Sequence, residues 1–185
     1  MRGTEGMILA IKWAREQNIP FLGICLGFQL AVIEWVRHVC GQKNATSGEF
    51  DPDAQDPVII FMPEISKTHM GGTMRLGLRP TVFDASSDWS KLRKLYKGAD
   101  KIWERHRHRY EVNPALIEKI QSLGMPFIGK DEKGERMQVL ELPGTSLTPS
   151  VVAMKQLVFN HFCGLVQTIR TLSVCKLIPS SAPVL

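Results

Sequence analysis

The four cysteines, Cys25, Cys40, Cys163 and Cys175, form no Cys-x-x-Cys pair and no metal-ligand spacing, which argues against a zinc module or a dithiol redox motif. No leader of the secretory type opens the chain, since Gly3 to Gly6 carries charge and no apolar run. The longest uncharged stretch near the C-terminus, Gln156 to Ile169, is too short to span a bilayer. There is no Gly-x-x-x-x-Gly-Lys phosphate loop, so nucleotide binding of that kind is not expected. The formal charge of +5 and pI near 9.1 invite a nucleic-acid reading. The basic residues are spread out except for Arg105, Arg107 and Arg109, however, and no nucleic-acid module accompanies them. Together these absences predict a soluble cytoplasmic protein that binds neither membrane nor nucleic acid.

With 185 residues, 44% hydrophobic and 22% charged, the chain can build one well-cored domain. Thr4 is expected to cap a helix from Glu5, with Met7, Ile8, Ile11 and Ala14 at helical spacing and a stop near Asn18. Phe21 to Ile24 reads as a buried strand, and Leu26 to about Val39 as a helix with Leu30, Ile33 and Val36 on one face and Gly41 beyond its end. This alternation predicts an α/β fold with a mostly parallel central sheet flanked by helices. Further strands are expected at Val58–Met62, at Thr73–Leu78 running through Pro80 into Phe83, and in the extended Ile102–Val112. A strand pair at Phe127–Gly129 and Met137–Leu142 is joined by a turn near Gly134. Helices fit Ser87–Leu95 and the segment that Pro114 opens.

Gly23-Ile24-Cys25-Leu26-Gly27 is the strongest local signal. A nucleophile between a buried strand and a helix, with glycine two residues to either side, has the layout of a nucleophile elbow. The glycines permit a sharp turn, the helix amides favour a thiolate, and the Leu26 amide lies where an oxyanion would form. On this pattern alone a buried, inert cysteine accounts for Cys25 equally well.

Pro20-Phe21-Leu22-Gly23-Ile24-Cys25-Leu26-Gly27-Phe28-Gln29 resembles the nucleophile strand and helix of class I glutamine amidotransferases. Arg2 to Gly6, Gly71 to Gly77 and Glu104 to Asn113 narrow the resemblance to the CTP synthase branch, from Arg2 to about Pro143. The resemblance implies that Cys25 attacks the side-chain amide of glutamine, forms a glutamyl thioester and releases ammonia. It also implies glutamine contacts at Leu26, Gly27, Phe28 and Gln29, with Glu49 meeting the α-ammonium and Arg109 the α-carboxylate. Gly48 stands where that family commonly has threonine. The partners implied are glutamine and a synthase (amidoligase) domain, which also allows for a homo-oligomer. ATP and Mg2+ belong to that domain only, and no metal site is expected in this chain.

The resemblance also implies a His-Pro-Glu triplet as base and orienting acid, beginning near Met154. The chain reads Ala153-Met154-Lys155-Gln156 there, and no His-x-Glu occurs in the tail. The Pro-Gly-Gly loop of the oxyanion hole would lie just before Arg2. His161 is the tail's one histidine, and residues 144–185 hold no Asp or Glu. The expectation is therefore a partial glutaminase domain over residues 1–143, a divergent tail over 144–185, and a chain inactive by itself. Two alternatives stand beside it. One is a non-catalytic glutamine-binding or assembly module. The other is a different cysteine hydrolase using His69, His106 or His108 as base.

Overall fold

The computed structural model describes residues 3–62, 75–143 and 151–154, with residues 75–76 and 151–154 described as backbone only. His69, His161, Cys163, Cys175 and the Gly71 to Met74 part of the glycine motif lie outside the described residues.

The chain opens with α1 (Thr4–Glu16), β1 (Phe21–Ile24) and α2 (Leu26–His38). Thr4 does not cap α1. Gly3 takes the cap position at φ 73, and Thr4 is the first helical residue, buried. Ile8, Ile11 and Ala14 form the buried stripe of α1, whereas Met7 is 40% exposed. On α2 every residue from Phe28 to Val36 is buried, so the helix is enclosed nearly all round rather than on one face. Its one buried carboxylate, Glu34, is matched by a two-point bond from Arg15 on α1 (Nε 3.0 Å, Nη2 2.7 Å). The bond joins the two helices, because a buried carboxylate is tolerated only when paired.

There follow β2 (Ile59–Phe61), β3 (Arg75–Phe83), α3 (Lys91–Leu95), β4 (Lys101–His108), β5 (Tyr110–Val112), α4 (Pro114–Ser122), β6 (Phe127–Lys130), β7 (Met137–Glu141) and β8 (Val151–Met154). The main sheet has the order β1-β8-β7-β6-β3-β4, and β2-β5 form a second, two-stranded sheet. The α/β class holds, but the mostly parallel expectation needs correction. Among the described strands only β1 and β8 pair in parallel, while β7–β8, β6–β7, β3–β6, β3–β4 and β2–β5 are antiparallel. The reason is connectivity. The turn at Gly134 (φ 74) folds β7 directly back on β6, while β3 and β4 run antiparallel across a connection that carries α3. Pro80 lies inside β3, where β3 has lost its β6 partner (that pairing covers only Val82 and Phe83) and is an edge on that side.

Side-chain alternation along the sheet separates two cores. Phe21, Phe127 and Leu140 face a large cluster built with α1, α2 and α4. Their neighbours Leu22, Ile128 and Val139 face a smaller one with Leu92 of α3. The α3 N-terminus is held by the sheet itself: the buried Glu141 carboxylate on β7 accepts from Ser90 Oγ (2.6 Å), Lys91 N (2.9 Å) and Leu92 N (3.2 Å). β8 slots between β1 and β7, so the sheet continues past Pro143 into four residues of the divergent tail. No helix among the described residues is long and apolar enough to cross a membrane.

Candidate active site at the β1–α2 junction

The strand-to-helix switch falls on Cys25, with φ 55 and ψ −102. A non-glycine residue in this region carries backbone strain, and such strain concentrates where a side chain is presented for chemistry. Cys25 is exposed, so it is not the inert core thiol of the alternative reading. The junction is tight because of Gly23. A Cβ placed there would lie 2.7 Å from the carbonyl oxygen of Gly27 and 2.8 Å from the Phe21 ring. Gly27 differs, since a Cβ there meets nothing described within 4 Å. Of the two flanking glycines, then, only Gly23 is demanded by sterics among the described residues.

Cys25 O accepts from Gln29 N at 3.3 Å, closing the first turn of α2. The amides of Leu26, Gly27 and Phe28 precede the first intrahelical donor and face the sulfur end of the helix. The Phe28 side chain is fully buried, its ring 6.3 Å from that of Phe127, so any ligand contact from this residue is through its main chain. The Gln29 side chain is 6% exposed, yet its Oε1 has no hydrogen-bond partner among the described residues. An orphaned buried acceptor is costly in a folded protein and marks a place where a donor is expected from outside.

Glu49 and Arg109 come together through backbone pairing. Gly48 N donates to Ile59 O (2.8 Å), Glu49 N donates to Ser47 Oγ (3.1 Å), and Met62 N donates to Arg109 O (3.0 Å). The loop bearing Glu49 and the bend bearing Arg109 are therefore tied to the two ends of β2. Tyr110 reports on both. Burial pushes its phenol pKa up, the Glu49 carboxylate pushes it further, and the Arg109 guanidinium opposes them. Glu49 is exposed and makes no ion pair with a described residue. Tyr110 was not among the residues singled out from the sequence, although its place next to Arg109 in the Glu104 to Asn113 motif offered the signal.

The expected shared face of Arg105, Arg107 and Arg109 is broken at its last member. Arg105 and Arg107 are exposed along β4, but Arg109 occupies a bend where the chain passes from the six-stranded sheet to the two-stranded one, and it is half-buried. His106 and His108 do lie on the opposite, buried face, with His106 Nδ1 and His108 Nε2 3.2 Å apart. Each ring is buried, and the pair face each other rather than standing exposed as Cys25 does. No cluster of three or more metal-ligating side chains occurs among the described residues.

The parallel pairing of β1 with β8 matches Ile24 to Met154, so both strands end side by side, one inter-strand spacing apart. Met154 thus lies beside Ile24, the residue before Cys25. In this sequence the next residues are Lys155 and Gln156.

A CTP synthase of Schizosaccharomyces pombe is 61% identical over 140 residues, covering 76% of this chain and 23% of that protein. One of Neurospora crassa is 63% identical over 141 residues, covering 76% and 24%. The chain thus spans about a quarter of the length of these relatives. Among solved structures, the glutaminase domain of Trypanosoma brucei CTPS with bound acivicin superposes with a TM-score of 0.80 at 28% identity, covering 97% of this chain and 69% of that one. Residues 1–147 match the family described as glutamine amidotransferase class-I, and this chain belongs to it.

Proposed function

We propose that this chain carries the glutamine site of a CTP synthase glutaminase, with Cys25 as nucleophile. The observation that carries the reading is an exposed cysteine held at positive φ where β1 meets α2. In this scheme Cys25 Sγ adds to the side-chain amide carbon of glutamine, and the Leu26 amide donates to the oxygen that becomes negative. Collapse expels ammonia once its nitrogen is protonated, and water then cleaves the thioester to glutamate. Leu26, Gly27 and Phe28 contribute main-chain contacts, and the unpartnered Gln29 Oε1 accepts from the ligand. Glu49 takes the α-ammonium and Arg109 the α-carboxylate, a pairing suited to a planar guanidinium.

The proton transfers need a base, and the position beside Cys25 at the end of β8 is where a histidine would act. This sequence has Met154 there, followed in the chain by Lys155 and Gln156. Removing a member of such a unit costs on the order of a thousandfold or more in rate. The chain by itself is therefore read as competent to bind glutamine and to be acylated, but not to turn over, which is the behaviour of a pseudo-glutaminase. In the longer relatives named CTP synthase, the ammonia would feed ATP-dependent conversion of UTP to CTP in the cytosol. ATP, Mg2+ and UTP would belong to the synthase portion, with which this domain would associate.

The test is to incubate the purified chain with an electrophilic glutamine analogue and with glutamine, following ammonia and the mass of the Cys25 peptide. Labelling of Cys25 that glutamine competes away, without sustained ammonia release, is expected. Rapid ammonia release would overturn the inactive reading. Absence of competable labelling would overturn the glutamine site, with Cys25→Ser as the control for sulfur-specific attachment.

A further inference from the structure

Glu111 and Asp131 are buried carboxylates, 6% and 5% exposed, that the chemistry of the site leaves unused. One side chain serves both. Arg136 Nε lies 2.6 Å from Glu111 Oε1, and its Nη1 lies 3.5 Å from Asp131 Oδ2. Asp131 in turn closes the turn between β6 and β7, its Oδ1 accepting from Glu135 N (2.9 Å) and Arg136 N (3.0 Å). The guanidinium is therefore carried by the main sheet and grips β5 of the second one. That second sheet is a pair of three-residue strands, too small to hold itself in place. Side chains alternate along β5, so Val112 and Glu111 leave by opposite faces. Val112 and its cross-strand partner Ile59 lie in the main core. Apolar contact of that kind is non-directional, and it presses the ribbon onto the core without fixing its angle. A planar guanidinium between two carboxylates is directional, and it acts on the other face. The ribbon also carries part of the site. The loop bearing Glu49 rides on β2, since Gly48 N donates to Ile59 O at 2.8 Å, whereas Cys25 stands at the β1–α2 junction of the main sheet. A ligand that touches both residues spans the two sheets, and its fit depends on the angle between them.

We propose that Arg136, clamped between Asp131 and Glu111, is a positioning residue that sets the two-stranded sheet against the main one, and with it the span from Cys25 to Glu49. This deepens the glutamine-site reading and rests on it. Arg136 acts without touching the ligand. Its influence falls on the α-amino end, because Glu49 moves with β2 and Cys25 does not. A ligand without an α-ammonium makes no use of that span and is indifferent to the clamp. Arg136 thereby governs how strongly the site prefers an α-amino acid over its deamino counterpart.

The test uses the full chain and the saturation kinetics of Cys25 labelling by a chloromethyl-ketone analogue of glutamine, beside the same compound lacking its α-amino group. Arg136→Leu is expected to raise the half-saturation concentration of the amino compound about tenfold, the weight of one hydrogen bond to a charged group. That of the deamino compound and both maximal rates are expected to stay unchanged. Glu111→Gln keeps the size and loses the charge, and is expected to raise the amino compound's value about threefold. The double variant is expected to match Arg136→Leu alone, because both changes act through one contact. Arg15→Ala breaks a buried ion pair elsewhere, serves as the control for lost stability, and is expected to move neither concentration. The proposal is overturned if Arg136→Leu folds and keeps the wild-type value for the amino compound, or weakens both compounds alike. If Arg136→Leu does not fold, Glu111→Gln decides by the same two criteria. If neither folds, the pair serves folding alone and the proposal falls. Failure of the underlying site is distinguishable, since the wild-type chain would then show no labelling that glutamine competes away.

Discussion

Replacing Gly23 with alanine adds one methyl group at the junction on which the site depends. That carbon would stand 2.7 Å from Gly27 O, 2.8 Å from Gly27 C and 2.8 Å from Phe21 Cε1, against about 3.4 Å for ordinary contact. Two of the three obstacles are main-chain atoms of the first turn of α2, which cannot rotate away. The helix must retreat from β1 by roughly 0.7 Å at its N-terminus, and α2 is buried along nearly its whole length, so the movement is resisted by the core. Overpacking of this kind costs about 1–3 kcal/mol, read as a lower urea midpoint at unchanged slope. Cys25 lies between the two displaced elements, and a 1 Å error in placing a reacting group can cost about a hundredfold. Labelling of Cys25 by the glutamine analogue is accordingly expected to slow by about tenfold or more. Gly27→Ala is the matched control. It meets no described atom within 4 Å and replaces a glycine in a helix, so a gain of about 0.5–1 kcal/mol is expected. If Gly23→Ala were as stable as the parent and labelled at the same rate, the account of a sterically enforced elbow would be wrong.

Glu141→Ala removes one carboxylate that three donors share, and a loss of about 3 kcal/mol or more is expected in urea unfolding because those donors are left buried and unpaired. Arg15→Ala strands the buried Glu34 with only His38 nearby, Nδ1 to Oε1 3.3 Å, and is expected to cost about 2–4 kcal/mol. Much of that should return in the Arg15→Ala, Glu34→Leu double variant if the penalty is an unpaired charge. The two tyrosines should ionise late. Tyr110 is raised by burial and Glu49, and Tyr96 is raised further by burial and by Glu104, to which it donates at 2.9 Å. Because the unfolded chain loses these protons first, near pH 10, the folded state holds more protons there. Its stability should fall as pH climbs past that value. Absorbance at the tyrosinate band, recorded beside thermal melts of the parent and Tyr96→Phe, checks both the order and the sign.

Local order was readable residue by residue. The run from Phe21 to Gln29 announced strand, turn and helix because a short apolar stretch, a glycine pair and a 3.6-residue repeat are each local signals. Pro114 likewise gives away the start of α4. Thr4 was misjudged as a cap because Gly3 could take the left-handed conformation at the helix entry, and a sequence pattern does not reveal which of two adjacent residues turns. The parallel sheet was misjudged because strand direction is set by how connections return, not by strand composition. Among the described strands, only β8, drawn from the acid-free tail, supplies a parallel neighbour.

The sequence by itself determined the family, the strand-to-helix elbow and its glycine, and singled out Cys25 as the candidate nucleophile, since those lie within ten contiguous residues and a few flanking motifs. Tertiary structure alone decided that Glu49 and Arg109 share one neighbourhood, that Arg109 sits at a bend rather than on a strand face, and that Tyr110 lies in the fields of both. These facts depend on which strands pair across 50 residues of chain, and pairing at that range is fixed by the burial of a whole core rather than by any window of sequence.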